Sequence, residues 1–363
     1  MSKPDEYPVV GKPYFAWGYE EQTQMKHKVL GAYSKIWVSK LGSKSNTLFI
    51  DCHGGCGAYL YPDGNVSYGS SLIVRQIADV VCQKRKHKTG IYYCEKDKHY
   101  YDNFLKVKKD LGDPKIATCN ACFEEVIKKP AVINNYHKYP TLFLVDPFGY
   151  NFDLSVLSGL MDSFGNEIIV NFMFDYIRRF LSLESVENAL NTFFGTNEWK
   201  NAISLSGQKR EDYLVNLFKK QLKIKTGAKF VFPYRLCFPD KDQTYYYLFH
   251  ATNHIDGITL MKDAFSSLNN GRVQYLGKKN DDFSFFDLDF IKADEIYKSF
   301  LETRKGSSIT VEDLWLLIVE DTAYTQKDLN KAMVELEQTG KINMTRVTSK
   351  RGSYKEKDVI NII

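Results

Sequence analysis

From Gln22 to Thr252, short apolar runs alternate with stretches of helical spacing. Met25, Val29, Tyr33, Ile36 and Trp37 share one face of a helix over Gln22–Trp37. Thr47–Asp51 is an apolar-centred run that stops at Gly54, Gly55 and Gly57, which predicts a buried strand and a turn. The pattern then predicts a helix over Ser70–Val81, a strand over Ile91–Glu95, a helix over His99–Lys109 and a strand over Lys115–Thr118. A fourth strand, Thr141–Asp146, ends in Pro147, Phe148 and Gly149, and a fifth is Glu167–Asn171. Strands alternating with helices are the pattern of a parallel, doubly wound α/β sheet.

Beyond the fifth strand the period changes. Helical material runs from Phe172 to about Lys225, followed by β-rich runs at Lys229–Phe238 and Thr244–Thr252. Only Pro239–Gln243 separates them, so they pair as a hairpin. Five parallel strands plus this hairpin resemble the seven-stranded, Rossmann-like sheet of class I S-adenosylmethionine (SAM) methyltransferases. Residues 266–306 are mixed and broken by glycine and asparagine, and read as a connector. Val311–Glu320 is a helix. A second begins at Thr325, with Asp328 placed to complete its cap, and carries Leu329, Met333 and Leu336 as a stripe up to Gly340. Lys341–Val347 and Asp358–Ile363 are short strands. Helix, turn, helix and hairpin predict a winged helix over 307–363. The expected layout is an N-terminal extension (1–20), a methyltransferase-like domain (21–265), the connector and the winged helix.

Composition narrows the classes. The chain has 363 residues, 44% hydrophobic and 26% charged, which excludes a disordered or collagen-like polymer. No apolar run approaches the ~18 residues of a membrane span, and residues 1–10 lack a secretory signal. Seven scattered cysteines suit reduced thiols, so a cytoplasmic protein is expected. Cys52, Cys56, Cys119 and Cys122 are either a zinc set of unusual spacing or small buried hydrophobes beside a pocket. No metal is expected for the chemistry itself.

Candidate chemistry gathers at the strand ends, where ligands bind in such sheets. Asp51, His53, Gly54, Gly55 and Gly57 form a glycine loop after the first strand, whose backbone can approach a ligand closely. It lacks the dinucleotide GxGxxG spacing, which disfavours NAD. Glu95 ends the second strand and can accept ribose hydroxyls, or is a solvated strand-end charge. Asn120, after the third strand, can meet an adenine amino group. Asp146-Pro147-Phe148-Gly149 resembles the Asp/Asn-Pro-Pro-aromatic loop of amino-methyltransferases, and is closer to its form in tRNA dimethylguanosine enzymes. There the carboxylate and the proline carbonyl accept the N–H bonds of a conjugated, weakly nucleophilic amine, and the aromatic ring stacks the base. The bland alternative is a stiff strand-ending turn. Asn171, Phe172, Asp175 and Arg178 can line the same pocket, or Asp175 and its arginines simply pair on a helix.

These motifs together resemble the three-Cys-motif partner protein (TcmP) family of phage and bacteria. The match runs over about residues 20–265. It rests on Gln22, Thr23, Lys26 and His27, on the glycine loop, on Tyr68–Leu72, on Asp146–Gly149, on Asn171–Arg178 and on Phe249–Asp263. Gln22 departs from the histidine expected there, and Cys52 stands where other members carry a different small residue. The resemblance implies a methyltransferase fold, substrate contacts at Lys26, His27 and Gly149, and a radical-SAM-like partner that supplies the three cysteines.

The net charge is only +5, but the cations cluster. They lie at Lys84–Lys88, at Lys219–Lys229, and on the expected wing at Arg346, Lys350, Arg351, Lys355 and Lys357. Three clusters with a winged helix favour nucleic acid as partner over protein docking. The sequence thus points to a SAM-dependent methyltransferase of a nucleobase amine in DNA or RNA, in a modification or defence setting. The alternative is a non-catalytic SAM- or nucleotide-binding subunit of such a complex.

Overall fold

A computed structural model describes residues 4–241, 243–275, 293–347 and 354–363. The centre is one twisted sheet of seven strands: β1 (Thr47–Asp51), β2 (Thr89–Cys94), β3 (Ala117–Cys119), β4 (Thr141–Val145), β5 (Glu167–Phe172), β6 (Phe230–Cys237) and β7 (Thr244–Thr252). Their order is β3-β2-β1-β4-β5-β7-β6. Neighbours from β3 to β5 are parallel, and β7 is antiparallel to both β5 and β6. That order, with β7 reversed, is the class I methyltransferase fold.

The strands are apolar on both faces because helices cover both. On one face lie α1 (Glu21–Leu41), α2 (Ser70–Cys82) and α6 (Ile255–Ser267), whose Val29, Leu72 and Met261 share a core with β1 and β7. Outside β2 runs α3 (Lys98–Asp110). On the other face, α5 (Gly207–Thr226) packs Phe218 against Phe172, Phe193 and Phe249. Phe172, expected in the pocket, is therefore a core residue. Side chains alternate along a strand, so Asn171 faces the site and Phe172 faces α5. The helix α4 (Phe174–Phe180) follows β5 directly.

Two features depart from the expected layout. The N-terminal residues are built into the molecule. Glu6–Pro8 and Phe15–Gly18 form a hairpin that pairs with a second hairpin, Ala58–Leu60 and Val66–Tyr68, inserted between the glycine loop and α2. Asp63-Gly64 at its turn is a strong hairpin signal that the strand–helix reading passed over. Second, the C-terminal segment shares the same apolar core as the main sheet. It comprises a strand (Ser308–Thr310), helices Val311–Ile318 and Gln326–Gln338, and strands Ile342–Thr345 and Val359–Ile362. Thr325 and Asp328 form the expected capping box.

Lys262 on α6 joins the two parts. Its side chain is fully buried, and Nζ donates to the carbonyls of Val319, Thr322 (2.6 Å) and Tyr324 (3.2 Å). Those carbonyls follow the helix Val311–Ile318, where the helix dipole favours a cation. The rings of Phe232 and Trp315 lie 4.2 and 5.6 Å from Nζ. Burial still pushes Lys262 down to about 7. Lys219 and Lys223 of α5 bind Glu320 and Asp321 in the same seam. Truncation by Lys262→Ala strands three buried acceptors, so it should lower the unfolding free energy by about 3 kcal/mol. Urea denaturation at pH 8 measures this, and a loss under about 1 kcal/mol would mean the seam does not depend on Lys262.

Candidate active site

The strand order reverses between β1 and β4, so the crevice beyond their carboxyl ends is the switch point of the sheet. Register aligns Asp51 with Leu144 and Val145 with Val170. Asp51, Asp146 and Asn171 consequently rise at one edge. Over Asp146 and Asn171 lies a cavity of about 600 Å³, whose lining includes His53, Gly54 and Ser70 but not the fully buried Asp51.

Its floor is a polar chain. Lys26 of α1 forms an ion pair with Asp146, and Asn171 Nδ2 donates to the other Asp146 oxygen at 2.5 Å. Burial alone would raise the Asp146 carboxyl, but the Lys26 ammonium and the two hydrogen bonds hold it below its usual range. Asn171 has turned its amide nitrogen to Asp146, which leaves its buried Oδ1 without a partner. Beside them Asp51 is fully buried. Ser70 and Ser71 donate to its Oδ2 at 2.5 and 2.8 Å, while Oδ1 has no partner. Burial, partly offset by those serines, pushes Asp51 up to about 6. His27 sits 2.9 Å from the Tyr19 hydroxyl, and burial, helped by Lys26, pushes it down to about 3, so it is neutral.

The roof is aromatic. Trp17, from the N-terminal hairpin, lies over Gly55 and meets Phe148 edge-on at 5.6 Å. Gly55 has φ of +65°, and a Cβ there would sit 2.8 Å from the indole, so only glycine fits. The indole Nε1 of Trp17 is buried without a partner. Asn103 of α3 ties the roof down, accepting from Phe15 N and donating to the carbonyls of Phe15 and Cys56. Phe148 is 45% exposed, free to meet a planar ligand. Tyr59, Tyr176, Tyr245 and Tyr246 complete the walls.

Of the residues expected here, Lys26, His27, His53, Gly54, Gly55, Asp146, Phe148, Asn171 and Asp175 line the cavity. Pro147 is buried between Asp146 and Phe148. Others are spent on structure. Glu95 accepts from the amides of Gly55 (2.9 Å) and Asp97 (2.7 Å), so it props the glycine loop. Asn120 is exposed and donates to the carbonyls of Glu95 and Lys96. Gly57 backs onto the Phe104 ring. Gly149, at φ +71°, makes room for Tyr176 as a turn residue. Asp175 is neutralised by Arg178 (2.6 Å) and Arg179, and Arg178 points to this pair rather than into the cavity.

The basic clusters disperse. Lys84–Lys88 precedes β2 and so sits at the opposite edge of the sheet, where Arg85 donates to Ser39 O. Lys219 and Lys223 face Glu320 and Asp321, and Lys220 lies 3.7 Å from Glu198. Arg346 pairs with Glu337 and stacks on Tyr354. Lys355 is exposed, whereas Lys350 and Arg351 lie outside the described residues. The thiols of Cys52 and Cys56 donate to the carbonyls of Ile50 and Ala58, and burial pushes both up. Among the described residues no helix is long and apolar enough to cross a membrane.

Sequence reasoning missed Trp17, Asn103, Tyr245 and Tyr246. Nothing in the local pattern marks Trp17 or Asn103. Tyr245 and Tyr246 fall within the predicted seventh strand, where their pattern marks only a strand.

No protein-family model matches the chain, and no curated protein does. Solved structures resemble parts of the chain at a distance. Protein LPL1258 of Legionella pneumophila is 10% identical with a TM-score of 0.44, over 69% of this chain and 92% of that one. An rRNA methylase of Streptococcus thermophilus is 10% identical with a TM-score of 0.33, over 64% and 96%. The plantazolicin methyltransferase BpumL, determined with SAH, is 10% identical with a TM-score of 0.34, over 64% and 86%.

Replacing Asn103 by Ala removes three buried hydrogen bonds that anchor the roof. The variant should lose about 2 kcal/mol of stability, and the amides of 15–18 should exchange faster with solvent. Unchanged exchange there would show that the hairpin is held by other contacts.

Proposed function

We propose that the chain is a SAM-dependent methyltransferase acting on an exocyclic amine of a nucleobase in DNA or RNA. The observation that carries this reading is the acceptor floor at the switch point. Asp146 and the unpartnered Oδ1 of Asn171 are both acceptors, which suits a substrate N–H. The Phe148 ring beside them suits a planar base.

The residues present fit the cofactor. Asp51 Oδ1 is a buried acceptor in need of a donor, as the α-ammonium of SAM would be. Gly54 and Gly55 offer bare main chain to the cavity, with His53 beside them. When bound, SAM supplies an electrophilic methyl group. The chain's own residues do the rest. Asp146 accepts one amine N–H, and the Pro147 carbonyl can accept the other, which draws the nitrogen lone pair out of conjugation. Phe148 stacks the ring, and Trp17 shields the crevice from water.

The second reading is a SAM- or nucleotide-binding subunit without turnover in a modification complex, which the same glycine loop, propped by Glu95, would serve. A radical-SAM-like partner for either role rests on the family resemblance.

Incubation with radiolabelled SAM and with DNA, RNA or candidate partner protein separates the two. Label transfer is expected, and Asp146→Ala should cut it by about 10²–10³ while SAM affinity stays within a few fold. SAM binding with no transfer to any substrate would sink the enzymatic reading and favour the second. The pH dependence of SAM binding tests Asp51. Its carboxyl ionises near 6 in the free protein. As pH falls below that value the carboxyl gains a proton and its attraction for an ammonium is lost. Calorimetric affinity should therefore weaken toward about pH 5, by up to about tenfold per unit, and become flat in Asp51→Asn. A flat wild-type profile would remove Asp51 from the cofactor site.

A further inference from the structure

Lys26 is a mostly buried lysine aimed at the carboxylate on which substrate recognition depends. Nothing in amine methylation requires a cation there. A carboxylate alone would attract any amine, and most strongly an alkyl ammonium, which carries a full charge at neutral pH. The Lys26–Asp146 pair instead has no net charge, and its ammonium repels a second cation at short range. A neutral, conjugated amine meets no such penalty. It can still donate to the lone pairs that Asp146 and Asn171 keep free.

We propose that Lys26 is a specificity-determining residue, which restricts the site to neutral ring-conjugated amines and rejects protonated alkyl amines. The inference rests on the amine-methyltransferase reading and deepens it. Apart from Lys26 and from Asp51, whose carboxyl burial raises to about 6, the titratable groups facing Asp146 are uncharged. Asp51 and His53 come from the end of β1, Asn171 from β5, Tyr246 from β7, Tyr59 from the inserted hairpin, and neutral His27 from α1. Among them Lys26 is the positive charge next to the carboxylate. Burial is the largest influence on Asp146 and acts to protonate it, so removing Lys26 also changes which species the floor presents.

The test compares binding of adenosine, cytidine and guanosine with binding of n-butylammonium, by calorimetry, in wild type and in Lys26→Met and Lys26→Arg. Wild type is expected to prefer a nucleoside. Lys26→Met should shift the ratio toward the ammonium by at least about tenfold above the Asp146 titration, and Lys26→Arg should keep the wild-type ratio. A carbon-13 carboxylate titration should place Asp146 higher in Lys26→Met than in wild type. An unchanged ratio in a folded Lys26→Met, or a wild type that takes the ammonium as readily as a nucleoside, overturns the proposal. If Lys26→Met does not fold, a shifted ratio in Lys26→Arg overturns it equally. SAM binding, measured separately, reports on the underlying reading. SAM bound with no preference between amines fails this inference alone, and no SAM binding fails the reading beneath it.

Discussion

A buried carboxylate must find compensation, and in this protein the compensation organises the site. Taking Asp146 out of water costs several kcal/mol unless a cation and hydrogen bonds replace the solvent. Lys26 supplies the cation, but it belongs to α1, 120 residues earlier in the chain. The ion pair therefore needs α1 seated across the end of the sheet. Tyr246 of β7 helps to seat it by donating to the Gln22 carbonyl at 2.6 Å. Once α1 is seated, His27 meets Tyr19, and the chain leading into the helix is drawn over the crevice. Floor, helix and roof are three consequences of one electrostatic demand.

The same logic separates what the sequence discloses from what it conceals. Periodicity reads the seven strands because strands buried on both faces must be apolar throughout, and the seventh, Thr244–Thr252, is found to the residue. Asp51 and Asp146 are legible because they stand at strand ends where the topology reverses. Trp17 and Asn103 are invisible locally. Each acts through a partner far away in sequence: Trp17 through Gly55 and Phe148, Asn103 through Phe15 and Cys56. Phe172 misled because the pocket pattern was read as consecutive residues, while a strand sends neighbours to opposite faces. Glu95 and Asn120 misled differently. They stand at the expected edge but outside the cavity lining, where they hydrogen-bond to main-chain groups.

Charge shows the largest gap between composition and arrangement. Clusters of lysine look alike in a sequence whether they face solvent, a polyanion or another part of the same chain. Lys219 and Lys223 face the acids of the C-terminal segment, and Arg346 faces Glu337. Lys262, which belongs to none of these clusters, is fully buried against the end of a helix. Among the described residues, Lys219, Lys223 and Arg346 thus bind the protein to itself, and the C-terminal segment is a packed part of the molecule.

This redistribution bears on how a substrate is held. The cavity is lined by Asp5, Glu20 and Asp146 against Lys26, while Asp175 is held by Arg178 and Arg179, so its field gives a polyanion little attraction. Phosphate neutralisation, which normally dominates nucleic-acid affinity, has little purchase at its walls. Recognition must then come from what the walls do offer: aromatic faces at Phe148, Tyr176 and Trp17, and acceptor oxygens at Asp146 and Asn171. Under the proposed function, such a site would read the ring and its amine and leave the backbone to surfaces elsewhere. The acidic residues around the crevice attract cations in general, so in the proposed reading the preference for an uncharged amine at Asp146 falls to the Lys26 ammonium beside it.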